Sequence, residues 1–280
     1  MKLKYEPELN KKGKESKVGM FGIHFYKENR LIKSFVEKYP RITDHIGTVS
    51  IIFFIISLLI AIVLIMLLIG AKIIASPQYD RAMQTNDTVL INSIEEVNNI
   101  TSIGIIVPSL GDEVEIKRYL IFIPALMFIF SLLIISTIHE LGHYMMALRY
   151  KVPVERYGFG FMTVFKYIPI PIAMGYVNLT MEILKEKKLS EYWRIICSGV
   201  GFNILFGISL FLLPVILPVE WHNILIILTF GVGLANAMPL FFTDGSWFFK
   251  RLFKRTSYFG ISIPDTFSVF LLAMGSISFI

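Results

Sequence analysis

Two histidines four residues apart, His139 and His143, flank Glu140 in the run Thr137-Ile138-His139-Glu140-Leu141-Gly142-His143. Positions four apart share one face of a helix, so both imidazoles can grip one metal ion while the carboxylate between them turns toward whatever that ion binds. The chain holds one cysteine, Cys197, and five histidines. A multi-thiolate site and an intramolecular disulfide are therefore excluded, and a metal must be held by imidazole and carboxylate. A hydrolytic zinc site takes three protein ligands and leaves a fourth position for water. His139 and His143 supply two. The candidate third is Asp244, in Asn236-Ala237-Met238-Pro239-Leu240-Phe241-Phe242-Thr243-Asp244-Gly245, the carboxylate at the end of a later apolar stretch. His24, His45 and His222 have no partner at ligand spacing and read as structural or surface residues.

The elements that must position these groups are membrane elements. With 55% hydrophobic residues and a mean hydropathy of +0.65, the chain falls outside the soluble globular class. The expected fold is membrane all-α, a polytopic transmembrane helix bundle. Residues 1–46 carry eleven Lys/Arg against six Asp/Glu and lack a signal-peptide pattern, and are expected to form a basic cytosolic tail. Its charge reads as topogenic, with no nucleic-acid partner implied. Within it, Leu31, Ile32, Phe35 and Val36 have a weakly amphipathic spacing suited to a bilayer surface or a solvated tail alike.

The first transmembrane helix is expected over 47–76, with an uncharged core from Gly47 to Ala71. An extracytosolic polar loop follows over 77–118, with seven acidic and three basic residues. Residues 119–255 form the expected catalytic core. It holds a long helix from Tyr119 to about Tyr150 and two further spans, Trp193 to Leu217 and Asn223 to Phe242. Residues 256–280 form an apolar C-terminal segment whose fifteen residues from Thr266 onward are short for a complete span. The tail, the 149–192 connection and the Lys250, Arg251, Lys254, Arg255 cluster are all basic, so they are expected on the cytoplasmic side of a multi-pass cell-membrane protein. His139 lies twenty residues beyond Tyr119, and Asp244 twenty-one beyond Asn223. Both are thus expected about 30 Å along their helices, at the cytosolic end. Ionisable groups near hydrocarbon are costly unless they share a metal or a wet cavity, a physical reason to group these four.

His139, Glu140 and His143 together with Asn236, Pro239, Asp244 and Gly245 make the chain resemble the site-2 proteases, a family of intramembrane zinc metalloproteases. In that family a His-Glu-x-x-His helix is followed by an Asn-x-x-Pro-x-x-x-x-Asp-Gly motif. A glycine-containing segment ending in asparagine lies between them, here Ser198-Gly199-Val200-Gly201-Phe202-Asn203. Val200 and Ser246 depart from the family's usual residues without removing a ligand. The resemblance implies one Zn2+ per chain on His139, His143 and Asp244, Glu140 as the catalytic base, and Asn203 and Asn236 as amide donors to substrate or oxyanion. It also implies a re-entrant β-hairpin over 157–180, where prolines and glycines interrupt an alternating pattern. The expected function is hydrolysis of transmembrane protein substrates near the cytosolic side of the lipid bilayer, that is, regulated intramembrane proteolysis. Two alternatives stand beside it. One is a non-catalytic membrane receptor or metal-handling protein that keeps such a site. The other is a protease of the prenyl-protein-processing kind with Glu182 or Glu186 as third ligand, although neither lies in an apolar helix.

Overall fold

The computed structural model describes residues 2–9, 15–85, 118–164, 168–212, 219–240, 243–252, 257–258 and 261–262. Most of the expected outer loop and nearly all of the C-terminal segment lie outside the described residues. In chain order the elements are β1 (Lys2–Leu9), β2 (Glu15–Phe25), α1 (Arg30–Lys38), α2 (Pro40–Thr85), α3 (Arg118–Arg149), β3 (Val154–Val164), β4 (Ile168–Leu179), α4 (Met181–Glu186), α5 (Leu189–Leu212), α6 (Val219–Ala237), α7 (Asp244–Leu252) and a minimal pair, β5 (Ser257–Tyr258) and β6 (Ile261–Ser262). Pro40–Leu67, Met127–Arg149 and Leu189–Leu212 are long and apolar enough to cross a membrane, and Trp221–Ala237 is a shorter apolar helix. The structure is thus mostly helical, as a membrane α protein is. Helix α2 continues through Thr85, so the first nine residues of the 77–118 segment are helical rather than loop.

The three long helices alternate in direction, and one polar cluster fixes their ends at a common level. Asp44, near the start of α2, accepts from Arg149 Nε at 3.0 Å, Arg149 Nη2 at 2.6 Å and the Tyr150 hydroxyl at 2.7 Å, all at the end of α3. Arg194, near the start of α5, donates to the same Tyr150 hydroxyl at 2.8 Å. Between the helices the core consists of Phe54 and Leu58 of α2, Met145, Met146 and Ala147 of α3, Ile195, Ile196, Cys197 and Val200 of α5, with Phe248 of α7. Helix α5 is the hub. Lipid supplies no hydrophobic drive for helices to associate, so close approach rests on small residues. A Cβ added at Gly142 of α3 would stand 2.4 Å from the Ser198 carbonyl oxygen of α5, and one at Gly201 of α5 would stand 2.2 Å from Ser50 Oγ of α2.

Strands β3 and β4 form the antiparallel hairpin anticipated from the residues around 157–180. What the sequence did not suggest is that the N-terminal tail extends it. The sheet order is β1-β2-β3-β4, with Val18–Phe25 of β2 paired to Tyr157–Val164 of β3. His24 pairs in register with Gly158, which pairs with Tyr176. Because Gly158 has no side chain, the His24 imidazole reaches over β3 to bond the Tyr176 hydroxyl. His24 is therefore a buried structural residue. Helix α1 is capped by Asn29, whose Oδ1 accepts from Leu31 N at 3.0 Å and Ile32 N at 3.3 Å. It buries Val36 and leaves Leu31 and Phe35 exposed.

The outer strand of the hairpin, β4, lies directly against α3. The Gly175 amide donates to Ser136 Oγ at 2.7 Å, and a Cβ at Gly175 would stand 2.8 Å from Thr137 Cα. This contact falls within one helical turn of His139. Replacement of Gly201 by valine should overpack the α2–α5 seam at a cost of about 1–3 kcal/mol. A lowered melting temperature of the detergent-solubilised protein is expected, and an unchanged one would mean that α2 does not seat against α5 at Ser50.

Candidate metal centre

Helix α3 presents His139 and His143 on one face because they are one turn apart, and both rings point into the bundle, 6% and 7% exposed. Asp244 arrives from the other end of the core by a different local route from the one the sequence suggested. The fourth span does not run to Phe242. It ends at Ala237, since Pro239 has no amide proton to continue the helix and disfavours helical geometry at Met238. Thr243 Oγ1 then donates to the Met238 carbonyl at 2.6 Å and accepts from Ser246 N at 3.3 Å, capping a new helix, α7, in which Asp244 is the first residue. Gly245 sits so close to the end of α6 that a Cβ would stand 2.2 Å from the Met238 carbonyl oxygen. The Asp-Gly pair thus folds the chain back tightly enough to bring the carboxylate to the histidines.

The three groups meet. Asp244 Oδ2 lies 3.1 Å from His139 Nε2, Asp244 Oδ1 lies 3.3 Å from His143 Nε2, and the two Nε2 atoms are 3.2 Å apart. Donor atoms bound at zinc distances in a tetrahedral site stand about 3.3–3.5 Å from one another, so this triangle has the size of one face of such a site. His143 Nδ1 donates to the Ile195 carbonyl at 2.8 Å. A carbonyl can only accept, so the ring proton is on Nδ1 and the Nε2 lone pair faces the cluster. Asp244 Oδ2 is buried and has no donor in hydrogen-bonding geometry. The His143 Nε2 lone pair and the Asp244 carboxylate converge beside the His139 ring, and His139, His143 and Asp244 can hold a metal ion.

Helix α5 leaves room for that ion. A Cβ at Gly199 would stand 2.5 Å from both His139 Nε2 and His143 Nε2, within the space that a cation between the imidazoles needs. Half-buried Glu140, on the same turn of α3, faces the backbone of Val177 on β4. Asn203 is fully buried, its Nδ2 3.2 Å from His139 Nδ1. Asn236 donates to the Val232 carbonyl of its own helix at 3.0 Å. His222 is buried and His45 exposed, and neither is among the three clustered groups. The role of Gly199 was not legible from its motif alone, because a glycine there reads equally well as a helix-packing residue.

Gly199→Ala should fold and yet lose most of its metal, since one methyl group occupies the ligand space. Metal content after dialysis of the purified protein measures this, and a full complement of metal in the alanine variant would remove the steric argument.

Residues 127–220 match the family model described as Peptidase family M50. No curated protein and no solved structure matches the chain. The matched stretch contains His139, Glu140, His143 and Asn203, while Asp244 comes to the cluster from beyond it. Over these residues the chain is similar to the site-2 proteases, a family of membrane zinc metalloproteases, and the resemblance carried by its motifs is borne out.

Proposed function

We propose that the chain is an intramembrane zinc endopeptidase that hydrolyses transmembrane protein substrates near the cytosolic side of the cell membrane, in the manner of regulated intramembrane proteolysis. One observation carries this reading: ligand atoms of His139, His143 and Asp244 all lie within 4.8 Å of one another, with Glu140 on the same helical turn as the two histidines. His139, His143 and Asp244 would hold one zinc ion per chain, and when bound it supplies Lewis acidity toward a water and a peptide carbonyl. Glu140 takes the proton of the attacking water and returns it to the departing amide nitrogen. Asn236, half-buried at the end of α6, is a candidate amide donor to the substrate backbone, a role suggested by the family resemblance.

Two features support the placement. The site lies toward the end of α3 that carries Arg149, beside Asp44 and Arg194. That end also adjoins the basic tail, and basic connections collect on the cytoplasmic side. Strand β4 is the outer strand of its sheet and runs past Glu140, which sets extended backbone beside the proposed base. Backbone in strand form at membrane depth is tolerated where it is buried in protein or lines a wet cavity, which is the sense in which we read the hairpin as re-entrant.

Glu140→Ala should keep its zinc and cleave candidate single-span proteins about 100- to 10,000-fold more slowly in detergent. Undiminished cleavage would remove Glu140 as base. Asp244→Ala should lose zinc and cleavage together, and an unaltered zinc content would mean that the third ligand is another group.

A further inference from the structure

Asn203 is a fully buried polar side chain beside the cluster, and its surroundings define a task for it. It is fully buried, its side chain approaches His139 Nδ1 at 3.2 Å, and its Oδ1 is buried without a hydrogen-bond partner. A neutral imidazole carries one proton. If His139 Nε2 offers its lone pair to a cation, as the metal reading on which this inference rests requires, the proton must sit on Nδ1 and needs an acceptor. The group in place is the Asn203 amide.

With its nitrogen toward Nδ1, the amide would donate to that atom and force the proton onto Nε2, among Asp244 Oδ2 and His143 Nε2. The two ends of an amide are nearly the same size, and which end faces a histidine is decided by hydrogen-bond logic. As placed, the amide leaves its Oδ1 without a partner, so satisfaction of the amide does not decide the orientation. The demand of His139 does.

Helix α5 treats the other ligand in the same way. The Ile195 carbonyl takes the Nδ1 proton of His143 at 2.8 Å. Ile195, Gly199 and Asn203 are four residues apart, so they form one stripe along α5. One stripe thus offers an acceptor to each imidazole with the side-chain-free space between them.

We propose that Asn203 is a positioning residue, whose side-chain carbonyl accepts the His139 Nδ1 proton and thereby aims the Nε2 lone pair at the cation. This differs from the amide-donor role that the family resemblance suggested for it, and the two roles use different ends of the amide. The positioning role needs an acceptor at 203; the substrate or oxyanion role needs a donor.

The test is the zinc dissociation constant of the full-length protein in detergent, measured by competition with a chromophoric chelator, for the native chain, N203D and N203L. Aspartate keeps the acceptor and removes the donor, while leucine keeps the approximate volume and removes both. Zinc binding should weaken about 10- to 100-fold in N203L and be at least as tight as native in N203D. Equal weakening in both variants, or native zinc affinity in N203L, would overturn the proposal. Should N203L fail to fold, N203D decides alone: zinc bound as tightly as native supports it, and weakened zinc overturns it. A native protein that takes up no zinc would remove the metal reading and this inference together, whereas native zinc uptake with an unaffected N203L removes this inference only.

Discussion

The convergence of two imidazoles and one carboxylate inside an apolar helix bundle is the constraint to which the rest of this structure answers. Each of these groups has a high cost of burial alone, and the burial of all three in one place asks for a shared partner. A cation at their centre would turn three unfavourable burials into one satisfied site. The spacing of the donor atoms, 3.1 to 3.3 Å, is that of groups held ready for such an ion.

Three helices cooperate in meeting that constraint, each with a different device. Helix α3 uses period: residues 139 and 143 fall on one face, and the intervening Glu140 is carried past the edge of β4. Helix α5 uses smallness and hydrogen bonding, with Gly199 leaving space beside both Nε2 atoms and the Ile195 carbonyl fixing the tautomer of His143. The junction between α6 and α7 uses a break. Pro239 stops one helix, Thr243 caps the next, and Gly245 lets the two ends touch, so that Asp244 emerges from a helix N-terminus pointing back at the rings. An uninterrupted fourth span would carry Asp244 on around its own axis.

The sheet shows how a polar tail can belong to a membrane core. Strand β2 covers the inner edge of the hairpin and leaves β4 as the outer strand, against α3 one turn from the metal ligands. The His24 to Tyr176 bond across Gly158 ties the tail to β4 itself, although the two residues are far apart in the chain. A regular tail strand is therefore part of the scaffold beside the site.

By itself the sequence pointed to a candidate metal-binding histidine pair, the helical membrane class and the hairpin, because each is written in local pattern: a four-residue histidine spacing, long uncharged runs, and alternation broken by Pro169, Pro171 and glycines. Asp244 was legible as a candidate ligand through its motif, but the depth count that supported it assumed a continuous helix, and Pro239 ends that helix at Ala237. Tertiary structure alone decided the rest. The pairing of residues 18–25 with 157–164 leaves no local trace, since strand partners so distant in the chain share no periodic signal. Likewise, whether Gly199 is a packing residue or a ligand-space residue, and which ring nitrogen Asn203 addresses, depends on how closely α5 approaches α3, and interhelical distance is a property of packed side chains that no single segment encodes.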